Sequence, residues 1–335
     1  MNNLVVEIDF DQINKVARIL RNKLKITIDD FADPRYYPSK NEDPENVLRY
    51  FIFMVAIDHR LSRPGKPYEG FVDGEFYHGA DLLYRLGSKK FHENPEWFDP
   101  KHMANITLDE VRDWLSVKKP KKVEPPDVEV RTMLLRDVGL KLVKLYSSSV
   151  SKLIESSRNY LKSLQGGLID RLKMFRAYED PVEKKPYLFF KFIERRGLFR
   201  PIDKENVEVP VDNHLTRIAL RLGLVKVRGI LRDKILQLVD FNWEEDVILR
   251  IAVRRAYKEL ALKADIEPTI LDDFLWMFGR KCCLREEPSC NVCSMKCNEY
   301  GWCTNGKCIL SDVCLAAKGV EPMYVEHSYL NTWYY

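Results

Sequence analysis

Apolar residues in this chain recur mostly at helical intervals. Leu134, Val138, Leu142 and Leu145 fall on one helical face, as do Ile248, Ile251, Ala252 and Leu260, and each set predicts a helix half-buried against a core. The run "NVLRYFIFMVAIDHRL" is apolar on nearly every side and predicts a fully buried helix. Strand-like alternation is scarce. "SRPGKPYEGFVDGEFYHGA", rich in Gly, Pro and aromatics, reads as a loop. The clearest interruption is "VKKPKKVEPPD", whose prolines stop any helix and favour an extended linker. The pattern predicts an all-α chain in four parts: an N-terminal unit over 1–117, a basic proline-rich linker over 118–127, a central helical domain over 128–270, and a cysteine-rich module with a tail over 271–335.

At 335 residues, 45% hydrophobic and 31% charged, the chain has enough apolar material for about two domains. Its net charge of +4 is a small excess that permits a nucleic-acid partner without demanding one. No apolar run reaches the ~20 residues of a membrane span, and nothing near Met1 has the form of a signal peptide. The expectation is a cytoplasmic protein with no membrane partner, acting as a monomer, with the dense Lys, Arg and Glu of a thermophile.

All eight cysteines lie between Cys282 and Cys314. In a reducing compartment such a cluster holds metal more readily than it forms disulfides. Cys283, Cys290 and Cys293 stand as C-x6-C-x2-C, and Cys308 and Cys314 as C-x5-C. Spacings this short let several thiolates meet at one centre, and a [4Fe–4S] cluster takes four.

"GRKCCLREEPSCNVC" resembles the iron–sulfur loop of the endonuclease III family through Gly279, Arg280, Cys283, Cys290 and Cys293. The family spacing would put its fourth ligand at Glu299, so the resemblance implies an insertion, with "CILSDVC" as the displaced closing segment and Cys314 as the fourth ligand. The third is Cys293 or Cys308, which leaves Cys282, Cys297 and Cys303 to pair with each other or with the unused candidate. Upstream, Val211, Asp212 and His214 in "VEVPVDNHLTRIALRLGLV" resemble the run that opens a helix in helix-hairpin-helix glycosylases. That likeness implies a bilobal helix-hairpin-helix glycosylase-like fold and gives Asp212 a catalytic role. Breaking a C1′–N bond leaves positive charge on the sugar, which a carboxylate stabilises. An Asp before a helix is also an ordinary N-cap.

The hairpin region, "FRAYEDPVEKKPYLFFKFIERRGLFRP", lacks the glycine-rich turn of DNA-binding members. Lys185 lies nearest the position of their Schiff-base lysine, with Lys184 and Lys191 as rivals. Lys191, Arg195 and Arg196, with Lys281 and Arg285 beside the cysteines, are candidate phosphate contacts. "RTMLLRDVGLKLVKLY" and "FRAYED" also resemble the queuosine-nucleotide hydrolases of queuosine salvage, which cleave the same type of bond in a small molecule. The expected function is N-glycosidic cleavage on nucleic acid, DNA ahead of RNA, as in base-excision repair. The alternatives are hydrolysis of a free modified nucleotide and a non-catalytic iron–sulfur protein that binds nucleic acid.

Overall fold

A computed structural model describes residues 5–24, 26–63, 65–293 and 295–335, with the side chains of residues 295 and 296 left out. The chain runs β1 (Val5–Ile8), α1 (Phe10–Lys23), α2 (Pro44–Ala56), β2 (Glu69–Val72), β3 (Glu75–His78), α3 (Ala80–Glu93), α4 (Pro100–Met103), α5 (Leu108–Leu115), α6 (Val128–Tyr146), α7 (Val150–Ser156), α8 (Leu168–Leu172) and α9 (Lys184–Arg195). It continues through α10 (Asn213–Leu222), β4 (Val225–Arg228), α11 (Gly229–Gln237), α12 (Trp243–Ala264), α13 (Pro268–Lys281), α14 (Met295–Asn298), β5 (Cys303–Thr304) and β6 (Lys307–Cys308). Helices dominate the described residues, and each of the three sheets is a single antiparallel strand pair. None of these helices is long and apolar enough to cross a membrane.

Two compact units form. One joins the stretch up to Ile28 to Val207–Asn331; the other joins Asp29–Asn206 to Thr332–Tyr335. This departs from the boundary expected at residues 118–127. That segment lies inside the second unit, where Val117 pairs with Val123 through the backbone and Arg63 bonds Asp127 just before α6. Proline there shapes a tied-down loop.

In the first unit, β1 pairs with β4 in the register Val5 to Arg228 and Ile8 to Val225, which brings distant parts of the chain together. Asp9 caps α1 by accepting from the Gln12 amide, and Ile13, Val16, Ala17 and Leu20 turn a buried face toward α12. Helix α12 opens on a capping box of Asn242 and Glu245. It buries Leu249, Val253, Ala256, Tyr257 and Leu260, a face rotated from the expected one, leaving Ile248 40% exposed. The rotation accommodates a charged group inside the core. Arg250 and Asp246 are fully buried and paired at 2.8 Å, and His327 Nε2 reaches Asp246 at 2.9 Å. Burial raises the pKa of the Asp246 carboxyl, but Arg250 and His327 more than offset this and hold it well below the usual range.

In the second unit, α2 is buried on every side from Tyr50 to Ala56, as its composition predicts. Helix α6 buries Leu134, Val138 and Leu142, whereas Leu145, near its end, is half exposed. Gly139 lets α6 approach α4 closely: a Cβ there would lie 2.7 Å from the Pro100 carbonyl oxygen. The run read as a loop contains the hairpin β2–β3, turned by Asp73 and Gly74 at φ 52° and 89°. Aspartate followed by glycine suits such a tight turn, and the surrounding Gly and Pro masked two strands of four residues.

Candidate functional site

Helix α10 places Asp212. The residue is the N-cap: its Oδ1 accepts from the Leu215 amide at 2.8 Å, and its other carboxylate oxygen makes no hydrogen bond among the described residues. One oxygen therefore serves the helix and the other is open to chemistry. The buried Arg250 holds the preceding segment through the Val211 carbonyl at 3.3 Å. His214, one turn in, packs over Gly279, where any Cβ would overlap the imidazole. Burial lowers the His214 pKa to about 4, helped by Arg217 and opposed by Asp212. His214 thus packs against α13, and the glycine of the Gly-Arg-x-x-Cys motif makes room for it.

The cysteines divide into two sets. Cys282 is bonded to Cys297, and Cys293 to Cys303, with Cα separations of 5.3 and 6.0 Å. Cys283, Cys290, Cys308 and Cys314 are free, and all but Cys290 are buried. Of the two candidates for a third cluster ligand, Cys308 is therefore free and Cys293 is paired. Backbone bonds knit the segment together: the Cys308 amide donates to the Cys290 carbonyl at 3.0 Å and the Cys293 amide to the Gly306 carbonyl at 2.9 Å. Strands β5 and β6 close on Asn305 and Gly306, both at positive φ.

Helix α10 reaches this segment as well. Arg221 donates to Cys283 Sγ at 3.4 Å and to the carbonyls of Leu284 and Arg285 at 2.5 Å. Arg217 donates to the Cys283 carbonyl at 3.0 Å. Burial, reinforced by the neighbouring thiols, pushes Cys308 and Cys314 up to about 12. Two of the four free thiols touch Arg221: Cys283 accepts from its guanidinium and Cys314 donates to its carbonyl at 3.1 Å. Separately, the sulfurs of Cys293, Cys297 and Cys303 lie within 4.8 Å of one another, close enough to share a metal ion.

In the second unit, polar groups gather around the C-terminus of α2. Lys185, fully buried on α9, donates to the Ala56 carbonyl at 2.6 Å and to His59 Nδ1 at 3.3 Å. Arg131, also fully buried, donates to the carbonyls of Ile57 and His59. Two basic side chains thus donate to carbonyls left open where the helix ends. Lys184 Nζ lies 3.6 Å from the Asp58 carboxylate, which Tyr84 also approaches at 3.4 Å. Burial, with Lys184 and Arg131 nearby, drives Lys185 well below the ordinary lysine range. Burial and the charges of Arg131 and Lys185 keep His59 well below the ordinary histidine range. Its Nε2 is buried without a hydrogen bond among the described residues.

The candidate phosphate contacts are largely engaged internally. Lys191 is buried, with Nζ 5.5 Å from the Phe31 ring centroid. Arg196 donates to the carbonyls of Phe31, Pro38 and Ser39, and Arg195 donates to that of Asp29. Arg285 pairs with Glu326 and Glu286, whereas Lys281 is partly exposed. Sequence reasoning passed over Arg131 and Asp180, the latter fully buried and accepting from the amides of Val182 and Lys184. An arginine near the start of α6 and an acid ahead of Pro181 were the available signals.

Residues 40–191, just under half of the chain and within the second unit, match the family described as "Queuosine salvage protein". No curated protein matches the sequence. Among solved structures, the chain is similar to endonuclease III in a trapped covalent DNA intermediate with an estranged adenine. Identity there is 12%, over 93% of this chain and 99% of that one, with a TM-score of 0.47. It is also similar to an 8-oxoguanine DNA glycosylase of Pyrobaculum aerophilum complexed with 8-oxoguanosine, at 17% identity over 89% and 99%, again with a TM-score of 0.47.

Proposed function

We propose that this protein hydrolyses the N-glycosidic bond of a nucleotide carrying a modified base of the queuosine type. The supporting observation is the family match over residues 40–191, the stretch that contains the buried His59, Lys184 and Lys185 with Asp58 beside them. The engagement of Lys191, Arg195 and Arg196 inside the second unit also favours a small substrate over a polymer, which would need several free cations for its phosphates.

Cleavage of C1′–N leaves positive charge on the sugar, and water must then attack C1′ while the base takes up a proton. Asp212 is the carboxylate assigned to that charge, acting through the oxygen that does not cap α10. Within the second unit, Lys185 is the positioning residue of the polar group at the end of α2. It holds His59 and the end of α2, and His59 keeps its proton on Nε2 when Nδ1 accepts from the lysine. Cys283, Cys290, Cys308 and Cys314 would hold a [4Fe–4S] cluster whose role is to order the C-terminal segment.

One observation favours a second reading, base excision from nucleic acid: this set of four free thiols lies in a loop that resembles that of endonuclease III. A single assay separates the two. Anaerobically purified protein is given a queuosine-type nucleoside monophosphate and, in parallel, oligonucleotides with damaged bases at ~50 and ~200 mM salt. Release of base from the monophosphate is expected, with little dependence on salt. Asp212→Asn, which keeps the capping oxygen, should lose at least ~100-fold in rate. Release only from oligonucleotides would favour the second reading. Release from neither would reject glycosidic cleavage.

A further inference from the structure

The second unit carries an exposed aromatic pair and an exposed run of lysines that neither reading of the reaction uses. On the hairpin β2–β3, Phe71 faces Phe76 across the strands, with ring centroids 5.3 Å apart. Strand alternation buries Gly70, Val72 and Tyr77 on one side and leaves the two phenylalanines 43% and 52% exposed on the other. The segment after α5 runs beside β2, where the Phe71 amide donates to the Lys119 carbonyl at 3.0 Å. Gly70 permits this approach, since a Cβ there would stand 2.9 Å from that carbonyl oxygen and 2.4 Å from Val117 Cγ2. Unlike Lys191 and Arg196, the side chains of Lys118, Lys119 and Lys121 are exposed and make no ion pair among the described residues. We propose that this face binds single-stranded nucleic acid: unpaired bases stack on Phe71 and Phe76, and the phosphates beside them lie against Lys118, Lys119 and Lys121.

Apolar rings held in water next to unpaired cations call for a ligand that is both flat and anionic. A nucleic-acid strand is such a ligand, and stacking accepts any base because each has a π-face. A duplex keeps its bases stacked on one another and offers this face its phosphates alone. The hairpin is held ready for the strand: Arg85 and Lys89 of α3 donate to Asp73 at its turn, at 2.6 and 2.7 Å. Val117 pairs with Val123 across the lysine segment, so binding has little chain left to order. Acids close to the lysines in sequence are also engaged, since Glu124 pairs with Lys122 at 2.6 Å and with Arg112 at 3.6 Å. The turn itself argues against a lipid surface. Asp73 and Glu75 flank its tip, and a hairpin inserting Phe71 and Phe76 would carry those carboxylates into the hydrocarbon.

The surface contains none of the residues assigned to cleavage, and binding alone reads it, whether or not the chain acts on a nucleotide. The full chain is titrated into labelled RNA and DNA strands of about 12 nucleotides, within the site sizes of such proteins, and fluorescence anisotropy is followed. Three phosphate contacts should make single-strand affinity roughly 20-fold lower at ~200 mM salt than at ~50 mM. The wild type should prefer the strand to the corresponding duplex. Phe71→Ala/Phe76→Ala should weaken single-strand binding on the order of 10-fold and leave duplex binding unchanged. Lys118→Gln/Lys119→Gln/Lys121→Gln should remove most of the salt dependence. All five side chains are exposed, so circular dichroism should show both variants folded as the wild type is. No binding at the lower salt, tighter binding of the duplex, or an aromatic variant that binds the strand as the wild type does would each overturn the proposal. So would tighter capture by phosphatidylserine vesicles that depends on Phe71 and Phe76, which would assign the face to a lipid surface.

Discussion

At the scale of the residue, burial acts on side chains that water would leave ordinary. His59 is surrounded by Arg131, Lys184 and Lys185, and His214 by Gly279 and Arg217; both stay neutral where a free histidine would be protonated. The unfolded chain therefore binds protons that the folded chain refuses as pH falls below about 6.5. Stability is full above that value and is lost on acidification, for His214 over the window down to about 4 and for His59 in the same direction. Thermal unfolding between pH 7.5 and 4.5 should show the midpoint falling with acid. His59→Gln should make the slope shallower by up to about 1.4 kcal/mol per pH unit, whatever its effect at neutral pH. An unchanged slope would mean that His59 titrates normally. The sequence showed His59 and Lys185 as one polar residue and one basic residue among many. Their contact across 126 positions exists only once α2 and α9 pack together.

At the scale of the element, α10 was the most legible part of the chain. Asp212 is its cap, Gly223 ends it at φ 80°, and Leu215, Ile218, Ala219 and Leu222 are all buried, as their spacing predicts. Spacing did not show that Arg217 and Arg221 are buried too and aimed at the cysteine segment, because charged side chains read as a solvated face until something to bond them is brought near. Gly279 is the reciprocal feature on α13. Gly279→Ala should press a methyl group into the His214 ring, tilt α10 against α13 and cost about 1–3 kcal/mol, as overpacking does. The companion variant Gly279→Ala/His214→Ala should recover most of that loss in denaturant unfolding. Failure to recover would place the strain elsewhere.

At the scale of the whole molecule, the first unit joins the stretch up to Ile28 to Val207–Asn331. Removing residues 1–24 deletes β1 and α1, leaves β4 without its partner and uncovers the face of α12 against which Ile13, Val16, Ala17 and Leu20 pack. The truncated chain should lose the cooperative unfolding of the first unit while the elements within 29–206 keep theirs, as hydrogen exchange would record. Equal protection in both units would refute this. The sequence by itself determined the helical class, the cap at Asp212, the buried character of α2 and the confinement of the cysteines, because propensity, capping and apolar spacing act within a few residues. It did not determine the unit boundary, the pairing of β1 with β4, the face that α12 buries or the division of eight cysteines into two sets. Those depend on contacts between residues tens to hundreds of positions apart. A local pattern records what a residue tolerates, and only the packed chain selects its partner.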